Sequence, residues 1–427
     1  MIVRLAYELG KGTGMRILYI TPFFQHPKMQ SSFRHYYFIR DLAQRHAITL
    51  LTPTKSPIAP EALAEMKSYT ERILIFDAKR AATASSTGER GLLAKLGKKI
   101  GQTQRRDRAV KDMQRAFLQL VEQEDFDVVI FHGKSVFSVI EHWDKLPLVV
   151  DFCDATSTRI SGQIHYAHPA EKPMLFFRYW QARQVERKMV KKSPHIAFIS
   201  ARDREAILGT SSHAQIIPNA VDIAYWHRKT HTPQSNCIMF HGGMDYWPNH
   251  DGALYLIEKI LPRLRLALPD LEVLIVGRDP LPALLKAAQA QPGVTVTGGV
   301  PDIRPYLERA TVYAGPPRFA SGQQNKLLEA MAMEVPVVTT PVAAAGLRVN
   351  DHMLPPVLVG ENEQQFADHV IGLFKNKAER DRLAGLGRRY IEEHFTEARS
   401  VEILERMCME AIQQYPTKVK PATLAHA

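Results

Sequence analysis

Short apolar runs alternate with stretches of helical period along the chain. "RILYIT" leads to "SSFRHYYFIRDLAQRH" and then "AITLLTP"; "DVVIFH", "LPLVVDF", "HIAFIS" and "QIIPNAVD" follow. Runs that are apolar at every position suit strands covered on both faces. The intervening stretches repeat their apolar residues at helical spacing. Together they predict an α/β fold, a buried parallel sheet with helices on both sides.

The pattern restarts at Cys237. "CIMFHGGM", "DGALYLIEKILPRLRLAL", "LEVLIVGRD", "VTVTGG", "IRPYLERA", "TVYAGPP", "SGQQNKLLEAMAMEVPVV" and "PVVTTP" repeat the alternation. Between the halves, "DIAYWHRKTHTPQSN" is polar and without period, as a linker would be. From about Glu361 the chain reads as helical. The expected organisation is an extension without order over 1–14, a Rossmann-like domain over 15–221 and a linker over 222–236. A second Rossmann-like domain over 237–395 and a helix with a loose tail over 396–427 complete it. "MIVRLAYELGKGTG" lacks the long apolar core and cleavage pattern of a signal peptide, and Met15, opening the strand "MRILYIT", is an alternative start.

The length of 427 residues accommodates two or three domains. A net charge of +11 points to an anionic partner: nucleotide, nucleic acid or membrane surface. No helix-turn-helix, RNP or zinc signature accompanies the charge, which argues against nucleic acid. No apolar run approaches the ~18–20 residues of a membrane-spanning helix. Cys153, Cys237 and Cys408 lie far apart, so neither a disulfide framework nor a zinc site follows, and a reducing compartment does. No metal-ligand spacing and no GxSxG elbow appears. "GKGTG" precedes a strand instead of following one, and "HGKS" lacks the first glycine of a phosphate loop.

One segment concentrates the charge. Residues 89–115 carry nine Lys or Arg against three acids, a net of +6. Leu92, Leu93, Leu96 and Ile100 fall at helical spacing within it. It is either an amphipathic helix lying on an anionic membrane surface or a solvated basic helix or flexible loop.

Three strand-end loops in the second half carry candidate chemistry. In "FHGGMDYWPN", Gly242 and Gly243 allow a ligand close to the backbone. In "IVGRDP", Arg278 follows a strand-ending glycine. In "SGQQNKLLEAMA", a small, amide-rich loop of Ser321, Gly322, Gln323 and Gln324 opens a helix expected to start near Gln323 or Gln324. First-turn amides and the helix dipole favour an anion there, and Lys326 adds a full charge. Asn325 and Glu329 share a face, with Lys326 adjoining it. The spacing fits a phosphate-and-diol site, with Glu329 on the diol; it equally fits an internal Lys326–Glu329 pair.

The run from "HGGMDYWPN" through "VPDIRPYLERA" and "NKLLEAMA" to "PVAAAGL" resembles the family 4 glycosyltransferases, in particular those of PEP-CTERM/exosortase exopolysaccharide systems. "RILYITPF", "LVVDFCDATS" and "IIPNAVD" extend the resemblance more loosely into the first half. The resemblance implies a GT-B fold: two Rossmann-like, doubly wound domains facing a central cleft, the first on the acceptor side and the second binding the nucleotide sugar. It implies hexosyl or N-acetylhexosaminyl transfer with retention, from a nucleoside-diphosphate sugar to a saccharide or lipid-linked saccharide, with no metal or other cofactor required. The expected location is cytoplasmic, with the amphipathic reading of residues 89–115 adding peripheral binding at the inner face of the cytoplasmic membrane.

Glu329 matches the second acid of the family's E-x7-E pattern, the ribose ligand. Ser321 stands at the first acid, which normally contacts the donor sugar, so sugar recognition is expected to pass to backbone amides and to Gln323, Gln324 or Asn325. The usual Arg and Lys after the first strand of the second domain are replaced by Asp245 and Asn249, leaving Lys326 and Arg278 for the diphosphate. Cys153 stands where many relatives have His, flanked by Asp151 and Asp154 as candidate catalytic carboxylates; Asp154 is otherwise a cap of the next turn. Arg34 is a possible first-domain contact to the diphosphate. Two other readings share the architecture: a nucleotide-sugar 2-epimerase and a non-catalytic nucleotide-sugar-binding subunit.

Overall fold

The computed structural model describes residues 14–29, 34–54, 56–77, 92–210, 214–229, 236–350 and 353–416, with 92–106 in backbone only. Two parallel sheets organise them. The first contains β1 (Arg16–Ile20), β2 (Ala47–Thr54), β3 (Arg72–Asp77), β4 (Val128–His132), β5 (Leu148–Cys153), β6 (His195–Phe198) and β7 (Gln215–Ile216). The second contains β8 (Cys237–His241), β9 (Glu272–Val276), β10 (Val294–Val296), β11 (Val312–Gly315), β12 (Val337–Thr339) and β13 (Leu358–Val359).

The orders are β3-β2-β1-β4-β5-β6-β7 and β10-β9-β8-β11-β12-β13. In each sheet the first strand lies inside and the strand order reverses beside it, between β1 and β4 and between β8 and β11. Loops leaving the carboxyl ends of such a strand pair diverge, which opens a crevice for a ligand. Register is parallel throughout the second sheet, with Ile238 opposite both Val273 and Val312.

The continuous apolar runs are the doubly covered strands expected. Ile17, Leu18, Tyr19 and Ile20 of β1 have no exposed surface. In the second sheet Ile238, Phe240, Val273, Ile275 and Val312 share one core with Leu327, Leu328 and Met331 of the helix Asn325–Ala332. That helix is therefore fixed to the sheet along one face. After β8 the helix Trp247–Tyr255 continues through a π-helical turn, Leu256–Ile260, into Leu261–Arg265. Pro262 supplies no N–H to the preceding turn, and the widened turn absorbs that loss.

The described residues group into two compact units. One holds those up to Asp151, Lys188–Ile196 and those from Val401 onward; the other holds Phe152–Arg187 and Ala197–Ser400. In the expected linker, Asp222 Oδ1 accepts from the amides of Ala224 (3.0 Å) and Tyr225 (2.9 Å), forming a local turn. Residues 1–13, 230–235 and 417–427, parts of the expected extension, linker and tail, lie outside the described residues. A helix, Leu92–Gln123, runs through most of the basic segment. The side chains of Leu92, Leu93, Leu96 and Ile100, on which its apolar face depends, lie outside those described. Among the described residues no helix is long and apolar enough to cross a membrane.

Candidate active site

The site lies on the loops beyond β8, β9 and β11, at the switch point of the second sheet. Gly242, after β8, has φ 149°, and Gly277, after β9, has φ 155°. A Cβ on Gly277 would sit 1.8 Å from the Gly242 carbonyl oxygen, so the two loops pack backbone against backbone. The Gly242 amide donates to Val276 O at 3.0 Å, and Met244 N to Arg278 O at 2.8 Å. Asn249 is buried; its Nδ2 donates to Gly243 O at 2.9 Å. Arg278 is exposed and lies over Gly243, where an added Cβ would come within 3.6 Å of its Nε. Gly242, Gly243, Asn249 and Arg278 are thus brought together, with an exposed guanidinium above a bare backbone.

The loop beyond β11 is pinned at almost every residue. Ser321 Oγ donates to Asp154 Oδ2 at 2.7 Å. The Gly322 amide donates to both carboxylate oxygens of Asp203, at 3.1 and 3.2 Å, and its carbonyl accepts from Arg202 at 2.8 Å. Gln323 Oε1 accepts from the Asn219 amide and Asn325 Oδ1 from Asn219 Nδ2, both at 2.7 Å. Gln324 Nε2 donates to Ser321 O at 3.2 Å. Gln324 precedes the helix without a side-chain cap, and the helix begins at Asn325, one or two residues later than expected, because the preceding loop is held extended by these contacts. The Gly322 amide is thus taken by Asp203, which leaves the first-turn amides of the helix for an anion. Gln323 Nε2 is a buried donor with no partner.

Lys326 does not close on Glu329 as its ion-pair partner. Its Nζ donates to Asn249 Oδ1, and lies 5.1 Å from the centre of the Phe240 ring. Burial lowers its pKa from 10.5 to about 8, against the raising influence of Glu329. Glu329 instead accepts from His241 Nε2 at 2.8 Å. His241 ends β8 and is 3% exposed; its amide donates to the hydroxyl of fully buried Tyr313 at 3.2 Å. One cation and one carboxylate are therefore held by different partners, Lys326 by Asn249 and Glu329 by His241. That arrangement suits a ligand with a charged part and a hydroxylated part better than a closed internal pair does.

At the end of β5, Cys153 has φ 61°, a left-handed conformation that costs a β-carbon residue about 1–2 kcal/mol. The strain turns the chain so that Asp154 meets Ser321. Asp154 does not cap the next helix: Ala155 precedes Thr156–Tyr166 without a side-chain cap, and its amide donates to Asp203 at 3.0 Å. Cys153→Gly is expected to raise stability by up to about 1 kcal/mol, and Cys153→Val to lower it by at least as much, in denaturant titrations. Equal stabilities would remove strain from this account.

Asp151 is fully buried and paired with Arg34, Nε to Oδ2 at 2.9 Å. His35 Nε2 lies 3.4 Å from the same oxygen, and His132 Nδ1 is 3.1 Å from the Asp151 carbonyl. Burial lowers the pKa of both imidazoles. Ligand atoms of His35, His132 and Asp151 lie within 4.8 Å of one another. The Arg34 guanidinium on the same carboxylate makes the cluster a poor host for a cation.

Four residues were not singled out from sequence: His241, Asn219, Arg202 and Asp203. His241 has a signal, a polar residue closing an apolar strand at a switch point. Asn219 lies in "IIPNAVD", read only as a loose likeness. Arg202 and Asp203 look like ordinary polar residues of a helix start.

Residues 235–376 match the family model described as glycosyl transferases group 1. No curated protein matches the chain. Among solved structures, sucrose-phosphate synthase from Thermosynechococcus elongatus is similar at TM-score 0.65 and 13% identity, over 93% of this chain and 99% of that one. Anabaena Alr3699/HepE, in complex with UDP and glucose, is similar at TM-score 0.60 and 12% identity, over 93% and 100%. A mutant of S. aureus TarM, in complex with Fondaparinux, alpha-GlcNAc-glycerol and UDP, is similar at TM-score 0.60 and 11% identity, over 92% and 99%. Strand order, the family match and these folds agree: the protein is a glycosyltransferase of GT-B fold, and its residues 235–376 form a group 1 glycosyl transferase segment.

Proposed function

We propose that the protein transfers a hexosyl or N-acetylhexosaminyl unit, with retention, from a nucleoside-diphosphate sugar to a saccharide acceptor in exopolysaccharide synthesis. The observation that carries this reading is the loop Ser321–Gln324 and its helix, held in one arrangement with a separated cation, Lys326, and carboxylate, Glu329. HepE, similar in fold, is seen with UDP and glucose, which favours a uridine nucleotide here.

In this reading Lys326, Arg278 and the first-turn amides stabilise the diphosphate as the bond from anomeric carbon to phosphate oxygen breaks. Fixed groups do so without reorganising in the transition state. Glu329, aligned by His241, takes the ribose diol. In a single front-face displacement, which retains configuration, the acceptor hydroxyl approaches the face the diphosphate leaves, and its proton passes to the departing phosphate oxygen. The sugar carboxylate missing at position 321 is supplied beside it: Asp154 is presented through Ser321, and the unpartnered Gln323 Nε2 offers a donor hydrogen nearby. Asp151 serves to hold Arg34. No metal has a role in these steps. A lipid-linked acceptor and a peripheral location on the inner membrane face, through the basic segment 89–115, complete the reading.

A panel of nucleotide sugars scored by thermal shift tests the donor. A ligand at a hundred times its Kd stabilises by about 2.7 kcal/mol, so one clear winner is expected. No shift with any donor would count against the site. The preferred donor, incubated alone, is expected to stay unconverted; epimerised product would replace transfer by epimerisation.

Glu329→Gln keeps a polar group on the diol but weakens the alignment by His241. It is expected to raise KM for the donor about ten-fold with kcat less affected, the signature of lost ground-state binding. An unchanged KM would remove Glu329 from the ribose.

A further inference from the structure

We infer that the outer face of the helix Lys172–Val190 docks on an anionic lipid bilayer. Met174, Phe176, Phe177 and Trp180 are each more than half exposed, at 59, 56, 55 and 57%. They are four of the fourteen large exposed hydrophobic residues described, and they fall within seven consecutive positions. Such clustering on a soluble surface marks an interaction site, where scattered single residues would not. Phe177 and Trp180 stack at 6.3 Å.

The helix is fastened by its other face. Leu175 packs in a small core with Ile160 and Ala167, joined by Tyr179 and Ala182. Glu186, fully buried, accepts from the Ser157 amide at 3.1 Å. It is the only acid from Lys172 to Arg187, so that stretch turns its single negative charge inward, although Glu171 precedes it. Of the four cations in that stretch, Arg178 and Arg187 are exposed and Lys172 and Arg183 half-buried.

Position along the helix sorts the two kinds of residue. Phe176, Trp180, Arg183 and Arg187 are spaced to share one stripe. Its first half is aromatic and its second half basic. Aromatic and Met side chains enter the boundary between head groups and acyl chains, while Arg and Lys remain at the phosphates. A negative leaflet adds attraction for each cation close to it.

The inference deepens the peripheral reading above, on which its biological setting rests. Its failure is separable from failure of the donor site, since nucleotide binding and vesicle binding are measured independently. The test is co-sedimentation of the full chain with phosphatidylcholine vesicles, with and without phosphatidylglycerol. Binding only to the anionic vesicles is expected. The triple variant Phe176→Ser/Phe177→Ser/Trp180→Ser should bind them at least about ten-fold more weakly while keeping its nucleotide affinity. The wild type should show a lipid-induced blue shift of tryptophan emission that Trp180→Phe lacks although it still binds. Three outcomes overturn the proposal: no binding; binding undiminished in the triple variant, which would move it to another surface such as 89–115; or a dimer that the triple variant dissolves.

Discussion

Replacing Lys326 by alanine is expected to lower sugar transfer by about 10²–10³-fold, the usual loss when one fixed group facing developing charge is removed. Its amine is the charge closest to the helix start and is held by Asn249 without being neutralised by it. The same substitution should not destabilise the fold near neutral pH. Burial has moved its pKa from 10.5 to about 8, below the unfolded value. Between these two values the unfolded chain retains a proton that the folded chain has released. Stability therefore rises with pH through that window, and below it the charged amine is a net cost to the fold. Lys326→Met removes the cost, so its stability should match or exceed that of the wild type at pH 7 and lose part of the rise between pH 8 and 10. Donor affinity runs the other way. It should fall as pH rises above about 8, and binding near that pH should take up protons, because a diphosphate draws the amine back to its charged form. Calorimetry in two buffers of different ionisation enthalpy measures that uptake; none would mean that Lys326 does not face the phosphate.

Asp203→Ala is expected to cost about 3–5 kcal/mol and most of the activity together. Asp203 is fully buried and receives the amides of Gly322 and Ala155 and the hydroxyl of Ser200. Removing the carboxylate leaves buried donors without partners, the expensive direction of hydrogen-bond loss. Two of those donors flank the Ser321–Asp154 contact, so both sides of the proposed sugar subsite lose their anchor. Asp203→Asn retains one acceptor and should recover much of the stability. If Asp203→Ala unfolds at the wild-type denaturant midpoint, the network carries no load.

The fold was legible because doubly covered parallel strands leave continuous apolar runs that few other structures require. The site was legible in the part that local spacing encodes. Ser321 to Glu329 occupy one short stretch, so a small loop, a helix start, a lysine and an acid can be seen together. Their partners cannot. Glu329 meets His241 across 88 positions, Gly322 meets Asp203 across 119, and Ser321 meets Asp154 across 167. Helical spacing alone pairs Lys326 with Glu329. The packing of the β8 loop instead offers Asn249 to one and His241 to the other. The serine at position 321 looked like a lost acid for the same reason: the carboxylate beside it comes from a distant strand end. The left-handed Cys153 that delivers it leaves no mark in a sequence where glycine would be the usual sign.

The central claim, that Ser321–Glu329 is the donor site, is tested most directly by titrating UDP, GDP and ADP into the wild type and into Lys326→Met. One nucleotide should bind the wild type, and its affinity should fall at least about ten-fold in the variant, as expected when a charge-assisted hydrogen bond is lost. Binding of none, or equal binding of the same nucleotide to both proteins, would contradict the account.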